Sequence, residues 1–319
     1  MRATGRISTP WPKAFFMSDI ILHQYAASPF SHKVIKILAH KGLAWHAVEQ
    51  PVVAPKPDLT PLTGGYRKIP VMQIGAHIYC DTLLIIRELE KRFTDTPLTP
   101  PHLAHAAEMI ADWTDHRVFS NAAMPTVFEM AEFLPPEFLQ DRAAMQNPAT
   151  LGAGPSPEHA RAQFVQDCLM MERQLAATPF LLGDSFTLAD AAAYHIVNFA
   201  ANGPTLAAEI AKLPKLSAWR QRIADMGEGA RSDMSPQAAL DIARAAAPDM
   251  TPPDNALDDT ALPVGASVSI KPDDYGQEVT TGSIAWVTED EIAIAREDAD
   301  VGAVLVHYPR LGYVVQVEG

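Results

Sequence analysis

The sequence predicts an α/β domain, followed by an all-α domain and then by a small all-β module. Three observations lead to this fold class. Strand-like and helix-like segments alternate near the N-terminus, the middle of the chain has apolar residues at helical spacing, and the last part has a period of two. Proline-rich stretches separate these parts. We therefore predict an N-terminal tail at 1–17, domains at 18–94 and 102–247, a linker at 248–263 and the β module at 264–319.

The first domain shows the element order β-α-β-loop-β-β-α. Its strand candidates are short apolar runs at 20–25, 45–49, 71–75 and 77–80. Ser28 followed by Pro29 predicts a helix N-terminus, because serine is a preferred N-cap and proline suits the first helical position. Asp81 and Thr82 open a second, apolar helix. This order is the pattern of a thioredoxin-like fold.

The middle of the chain is predicted to be almost entirely helical. A long helix is expected from His105 to Met130, and further helices follow up to Ala246. Thr187 and Asp190 form a variant of the capping box, with aspartate at its third position, at the start of a mostly apolar helix. We interpret these two residues as structural caps.

The C-terminal module contains four or five short strands with turn signals between them. This pattern predicts a small barrel-like or sandwich-like β module. A unit of about 55–60 residues buries too little surface to be more than marginally stable alone. We therefore expect the module to dock on its own body or on a partner subunit.

Charge and cysteine content exclude several classes of protein. The net charge is −13, and residues 249–319 hold only 3 basic but 14 acidic side chains. Neither part of the chain offers the basic surface that nucleic acid or anionic lipid requires. No apolar run approaches the roughly 18 residues that span a bilayer, and no secretion signal precedes the first strand. With two cysteines, Cys80 and Cys168, and no CxxC pair, we expect a cytoplasmic protein without dithiol chemistry.

Four short blocks point to a known family. They are 25–34 (YAASPFSHKV), 68–71 (KIPV), 80–85 (CDTLLI) and 180–190 (FLLGDSFTLAD). Together, in this order and at this spacing, they resemble the cytosolic glutathione S-transferase superfamily over about 20–245. The resemblance implies a thioredoxin-like glutathione-binding domain, a helical domain, glutathione as co-substrate, no metal and a homodimer. The β module lies outside it.

Ser28 is the candidate catalytic residue. Glutathione reacts as a thiolate, although an unperturbed thiol has a pKa of about 8.5, and both a hydroxyl donor and a helix N-terminus favour the ionised form. The resemblance places Ser28 where serine-type transferases keep the activating hydroxyl. Tyr25 and Ser31 are alternative donors, and a further alternative is that Ser28 serves only as an N-cap.

The glutathione backbone is expected to contact the segment before the third strand. The resemblance implies a cis peptide bond between Ile69 and Pro70, which exposes the backbone of Ile69 for strand-like pairing with the cysteinyl unit. Phe30, next to the candidate catalytic residue, is assigned to the same site by the resemblance. The alternative is an ordinary proline at the start of a strand.

The two charged ends of glutathione need separate partners. Asp81 and Thr82 open a helix, whose free N–H groups suit the γ-glutamyl carboxylate. Lys68 and Lys33 are candidates for the glycyl carboxylate, and the alternative is that either lysine is simply solvated.

The electrophile is expected to lie against the long helix. Trp113, His116 and Phe119 follow one another at helical spacing, and Phe128 lies two to three turns further on. The resemblance implies that this helix faces the second substrate. The alternative is that they belong to the core. His102 and His105 have no third ligand in register, so no metal site is predicted.

These residues lead to one main hypothesis and two alternatives. The main hypothesis is a glutathione S-transferase-like enzyme that activates the glutathione thiol for attack on a small hydrophobic electrophile. One alternative is a glutathione-dependent isomerase, dehalogenase or peroxidase on the same fold. The other is a non-catalytic binding or scaffold protein that uses the β module. Glutathione binding would separate the last alternative from the other two.

Overall fold

The computed structural model describes residues 20–146 and 155–318 of the 319 in the chain. Within them the chain follows the predicted order, with mixed α/β elements first, helices next and β-strands last. The predicted tail at 1–17 lies outside the described residues. Among the residues described, no helix is both long and apolar enough to cross a membrane.

The first part of the chain folds as a thioredoxin-like unit. Its elements are β1 (Ile21–Gln24), α1 (Pro29–His40), β2 (Ala44–Glu49), α2 (Thr60–Thr63), β3 (Val71–Ile74), β4 (His77–Cys80) and α3 (Thr82–Arg92). Strand β1 pairs in parallel with β2 and antiparallel with β3, and β3 pairs antiparallel with β4. The expected cis peptide bond between Ile69 and Pro70 is present immediately before β3.

The middle part consists mainly of helices. They are α4 (Ala104–Trp113), α5 (Phe119–Met130), α6 (Pro136–Ala144), α7 (Pro157–Gln174), α8 (Leu188–Ala200), α9 (Pro204–Ala211), α10 (Pro214–Ala224) and α11 (Pro236–Ala245). The helix expected from His105 to Met130 is found as α4 and α5, joined by a π-helical turn at Thr114–Val118. A π turn holds an extra residue, so it changes which side chains face the first unit.

The start of α8 is fixed by one buried carboxylate. Asp190 accepts hydrogen bonds from the Thr187 backbone N–H (3.0 Å) and hydroxyl (2.8 Å). It also accepts from the Leu181 N–H at 2.8 Å and from Trp219 Nε1 at 2.9 Å. The Asp190 carboxylate thus links the start of α8 to the segment before it and to Trp219 of α10. Helix α8 itself is buried along most of its length.

A short strand interrupts the segment that the sequence predicts to be all helical. Strand β5 (Ala230–Asp233) pairs in parallel with β2 and extends the sheet of the first unit. The glycines before it, Gly227 and Gly229, have positive φ and turn the chain after α10. All four β5 residues are exposed, so no apolar alternation marks this strand in the sequence.

The last part of the chain is the five-stranded β module. Its strands are β6 (Ser267–Pro272), β7 (Thr280–Val287), β8 (Glu291–Asp298), β9 (Gly302–Pro309) and β10 (Tyr313–Val317). They pair antiparallel in the order β10-β6-β7-β8-β9. The barrel-like closure expected from the sequence stays a prediction.

The β module docks on the body of its own chain, one of the two outcomes expected from its small size. Strand β9 pairs in parallel with β4, with His77 opposite Leu305 and Tyr79 opposite His307. The described strands therefore form one ten-stranded sheet. Apolar residues of both units share a core beneath this junction, among them Ile78, Cys80, Val71, Ile294, Val306 and Tyr308.

A buried histidine in β1 makes stability depend on pH. His23 has no exposed surface, and its Nε2 lies 2.9 Å from Gln73 Oε1 while Gln50 Nε2 donates to its Nδ1 at 3.2 Å. Burial lowers the pKa of His23 from 6.5 to about 4. The unfolded chain therefore takes up a proton as the pH falls below 6.5, whereas the folded chain does so only near 4. The contribution of neutral His23 to the stability of the fold is therefore complete above pH 6.5, and it is lost as the pH falls from 6.5 to about 4.

Because of His23, we expect the free energy of unfolding to fall by about 2 kcal/mol when the pH is lowered from 7 to 5. Urea unfolding at the two pH values measures this loss. The His23→Gln variant cannot take up the proton, so its pH dependence should be shallower by the same amount. Equal pH dependence in both proteins would contradict the assignment.

Candidate active site

The N-terminus of α1 lies against the segment that precedes β3. Ser28 caps α1, and its Oγ accepts a hydrogen bond from the Ser31 N–H at 3.2 Å. The same hydroxyl donates to the Ile69 carbonyl at 3.4 Å, next to the cis proline Pro70. Ser28 is 1% exposed. The geometry is therefore compatible with both interpretations of Ser28, since the hydroxyl caps the helix and also points toward the backbone expected to bind the thiol-bearing unit.

The two alternative donors lie in different surroundings. Tyr25 is half-buried, and its hydroxyl accepts a bond from Arg142 Nη2 at 3.3 Å. The Lys56 ammonium lies 5.5 Å from the centre of the Tyr25 ring. Ser31 is fully buried, and its hydroxyl has no hydrogen-bond partner among the described residues. Tyr25 therefore belongs to a polar cluster with α6, and Ser31 lies beneath the helix start.

The start of α3 presents polar groups near α1, because Lys33 of α1 contacts Thr82. Asp81 caps the helix by accepting a hydrogen bond from the Leu83 N–H at 3.0 Å. Its φ of 75° is the only positive value among the described residues other than glycine. Such conformations concentrate at functional sites, where surrounding contacts enforce them. Thr82 is buried, and its hydroxyl accepts a bond from Lys33 Nζ at 3.2 Å.

Lys33 forms a buried ion pair between the two units. Its ammonium contacts the carboxylate of Asp115, which lies in the π-helical turn between α4 and α5. His195 of α8 is fully buried nearby, with Nε2 at 3.7 Å from Asp115 Oδ1. Burial, and then the charge of Lys33, lower the pKa of His195 well below its ordinary value. The sequence analysis missed Asp115 and His195, and their position became evident only from the contact with Lys33.

The residues assigned to the electrophile pocket are not equivalent. Phe119 packs edge-on against Phe30, with ring centres 4.9 Å apart, and Trp113 is partly buried against the same core. His116 is 64% exposed at its side chain and Phe128 is 66% exposed. The structure therefore packs Phe119 against Phe30 of the first unit and leaves Trp113 partly buried in the core, while His116 and Phe128 are largely exposed.

The β module contacts two residues of the candidate glutathione site. Asp274, in the segment between β6 and β7, forms an ion pair with Lys68 at 2.7 Å. Tyr313, at the start of β10, donates from its hydroxyl to Asp81 Oδ2 at 3.4 Å. Both contacts join the module to residues assigned to glutathione binding. No sequence signal pointed to them, because they join parts of the chain more than 200 residues apart.

Helix α6 meets the same segment of the β module. The Gly276 N–H donates to the Met145 carbonyl at 2.9 Å, just beyond the end of α6. Arg67 forms ion pairs with Asp141 of α6, at 2.6 Å, and with Glu278 of the module. Residues 273–279 thus contact both the first unit and the end of α6.

Neither cysteine is placed for catalysis. Cys80 and Cys168 are both buried and free. Burial raises the pKa of each thiol, which disfavours the reactive thiolate. Among the residues described, no three side chains of His, Cys, Asp or Glu are grouped in a way that could hold a metal ion.

Comparison with known proteins agrees with this fold. The family model for the glutathione S-transferase N-terminal domain matches residues 22–97, and the model for the C-terminal domain matches residues 137–222. These two matches together span half of the chain. The chain therefore belongs to the glutathione S-transferase family.

Individual relatives support the same assignment. The probable glutathione S-transferase parA of Nicotiana tabacum is 22% identical over 207 residues, which cover 63% of this chain and 83% of the relative. A probable glutathione S-transferase of Solanum tuberosum is 22% identical over 217 residues, covering 66% and 89%.

One solved structure also matches beyond the two family domains. The crystal structure of a GST-like protein from Pseudomonas syringae is 33% identical, with a TM-score of 0.78, and the match covers 94% of this chain and 99% of that chain. The match must extend through most of the β module, because the 6% of this chain that it leaves uncovered is much shorter than residues 264–319. The module is therefore shared with at least one relative.

Proposed function

We propose that this protein is a glutathione S-transferase-like enzyme that activates the glutathione thiol with Ser28 for attack on a hydrophobic electrophile. The observation that carries the proposal is the position of the Ser28 hydroxyl, at the N-terminus of α1 and 3.4 Å from the Ile69 carbonyl. A thiol bound along Ile69 would lie beside this hydroxyl and beside the positive end of the helix dipole.

The proposed chemistry needs one donor and no cofactor. The Ser28 hydroxyl turns from the Ile69 carbonyl toward the sulfur, and its existing bond is long, at 3.4 Å, so little is lost in the exchange. The hydroxyl and the helix N-terminus stabilise the thiolate, and the thiol proton leaves to solvent. The thiolate then forms a C–S bond with the electrophile, and the leaving group departs with the bonding electron pair.

We assign each of the three units of glutathione to a different group of residues. Ile69 and Pro70 present the backbone to the cysteinyl unit, and Asp81 and Thr82 receive the γ-glutamyl end. Lys33 is held by Asp115 and Thr82, so we assign it to positioning Thr82. Lys68 then remains for the glycyl carboxylate.

The apolar side of the proposed cleft would receive the electrophile. Phe30 and Phe119 pack together at its base, and Trp113 lies on the same helical stretch. His116 is exposed and would contact only the outer end of a large substrate. We also propose that two copies form a homodimer and act in the cytoplasm, as the family relationship suggests.

Replacing Lys68 with methionine should weaken glutathione binding about tenfold, because the glycyl carboxylate loses its charged partner. Calorimetric titration of glutathione into the purified protein measures the change. Lys91→Met is the matched control, since Lys91 lies on the far end of α3 and is 71% exposed at its side chain. A wild-type protein that is folded but takes up no glutathione would contradict the proposed function and favour a non-catalytic binding protein.

A further inference from the structure

The segment between β6 and β7 contains three acidic residues, two of which contact basic residues shortly before the cis proline. It comprises residues 273–279, with the sequence DDYGQEV, and includes Asp273, Asp274 and Glu278. Asp274 forms an ion pair with Lys68, and Glu278 forms one with Arg67, three positions before the cis proline. The charge of this segment is therefore opposite to that of the residues it meets.

The segment is held in place by contacts other than this ion pair. The Gly276 N–H donates to the Met145 carbonyl at 2.9 Å, and Thr280 donates to the Thr63 carbonyl at 3.2 Å. Gly276 has a φ of 63°, and a Cβ there would lie 2.7 Å from Met145 Cε. Glycine thus permits the turn at this position. These contacts place the Asp274 carboxylate beside Lys68.

We propose that Asp274 is an internal competitor for the glycyl carboxylate of glutathione. This inference rests on the proposed function, since it assumes that Lys68 binds that carboxylate. Asp274 and the glycyl end carry the same functional group, and one ammonium at a partly exposed site cannot keep full contact with both. Glutathione binding therefore exchanges one carboxylate for another on Lys68.

The exchange is feasible because the internal pair is open to solvent. The Asp274 side chain is 49% exposed and the Lys68 side chain 21%. An ion pair of this kind contributes little to stability, so the carboxylate can be displaced without disturbing the fold. The pair should instead set the affinity for glutathione and shield the lysine when the site is empty.

The test uses two charge-matched variants and two ligands. Asp274→Asn and Asp273→Asn each remove one negative charge from the same segment, but only Asp274 contacts Lys68. Glutathione and its glycyl monoethyl ester differ only in the carboxylate at issue. Calorimetric titration gives the dissociation constant of each ligand for the wild type and for both variants.

We expect Asp274→Asn to bind glutathione roughly two- to fivefold more tightly than the wild type, the ratio that corresponds to an exposed ion pair. Asp273→Asn should match the wild type. The ester should bind all three proteins equally, because it does not compete for Lys68.

Three results would overturn the inference while leaving the proposed function intact. They are an unchanged glutathione affinity in Asp274→Asn, an equal gain in Asp273→Asn, and an equal gain for the ester. The second would indicate a general charge effect, and the third would indicate a steric barrier rather than competition. If neither ligand binds any of the three folded proteins, the proposed function fails as well, and this inference fails with it.

Discussion

Replacing Ser28 with alanine should lower the rate of glutathione conjugation to an aryl halide by about 100-fold, the loss typical of removing one hydrogen-bond donor that stabilises a developing or reacting anion. The pKa of the bound thiol should rise in the variant, because only the helix N-terminus then favours the thiolate. The measurements are kcat and its pH dependence, whose midpoint should move to higher pH.

Three further variants make this result specific. Ser28→Thr keeps the hydroxyl and should keep most of the rate. Ser31→Ala and Tyr25→Phe remove the two alternative donors in turn. Ser28 also caps α1, and the lost cap should lower stability by about 1 kcal/mol, so a melting curve must show that Ser28→Ala is folded. If Ser28→Ala keeps the wild-type rate while Ser31→Ala or Tyr25→Phe loses it, the catalytic hydroxyl belongs to Ser31 or Tyr25 and not to Ser28.

Replacing Asp115 with alanine should lower the free energy of unfolding by about 3–5 kcal/mol, because it leaves the buried ammonium of Lys33 without its counter-charge. The remaining partner of that ammonium is the Thr82 hydroxyl, at 3.2 Å. Urea unfolding measures the loss. Glutathione affinity should fall as well, since Lys33, no longer held by Asp115, would position the Thr82 hydroxyl less firmly.

A double variant separates the ion pair from the packing around it. Lys33→Met with Asp115→Leu removes both charges and keeps most of the volume, so most of the lost stability should return. If Asp115→Ala is as stable as the wild type, or if the double variant is as unstable as the single one, the pair does not carry the stability assigned to it.

Features with local signals could be predicted from the sequence. The N-cap at Ser28 and the helix start at Asp81 depend on residues within one turn of the chain. The strands of the thioredoxin-like unit and the β module follow from the period of apolar residues. The cis bond before Pro70 came from the family resemblance and not from the residues themselves.

Contacts between distant parts of the chain could not be predicted. Asp115 meets Lys33 across 82 residues, and Asp274 meets Lys68 across 206. Both acids look like ordinary surface residues in the sequence. The π-helical turn adds a second reason, because regular helical spacing singled out His116, whereas the extra residue turns Asp115 toward the first unit.

The pairing of β9 with β4 has a consequence for how the chain avoids self-association. In the thioredoxin-like unit alone, β4 would end the sheet and leave a row of unpaired N–H and C=O groups, which is a template for joining another chain. The β module covers that row with eight-residue strand β9. The extension therefore covers this edge of the thioredoxin-like sheet, and a chain cut before it would expose an edge strand able to pair with other chains.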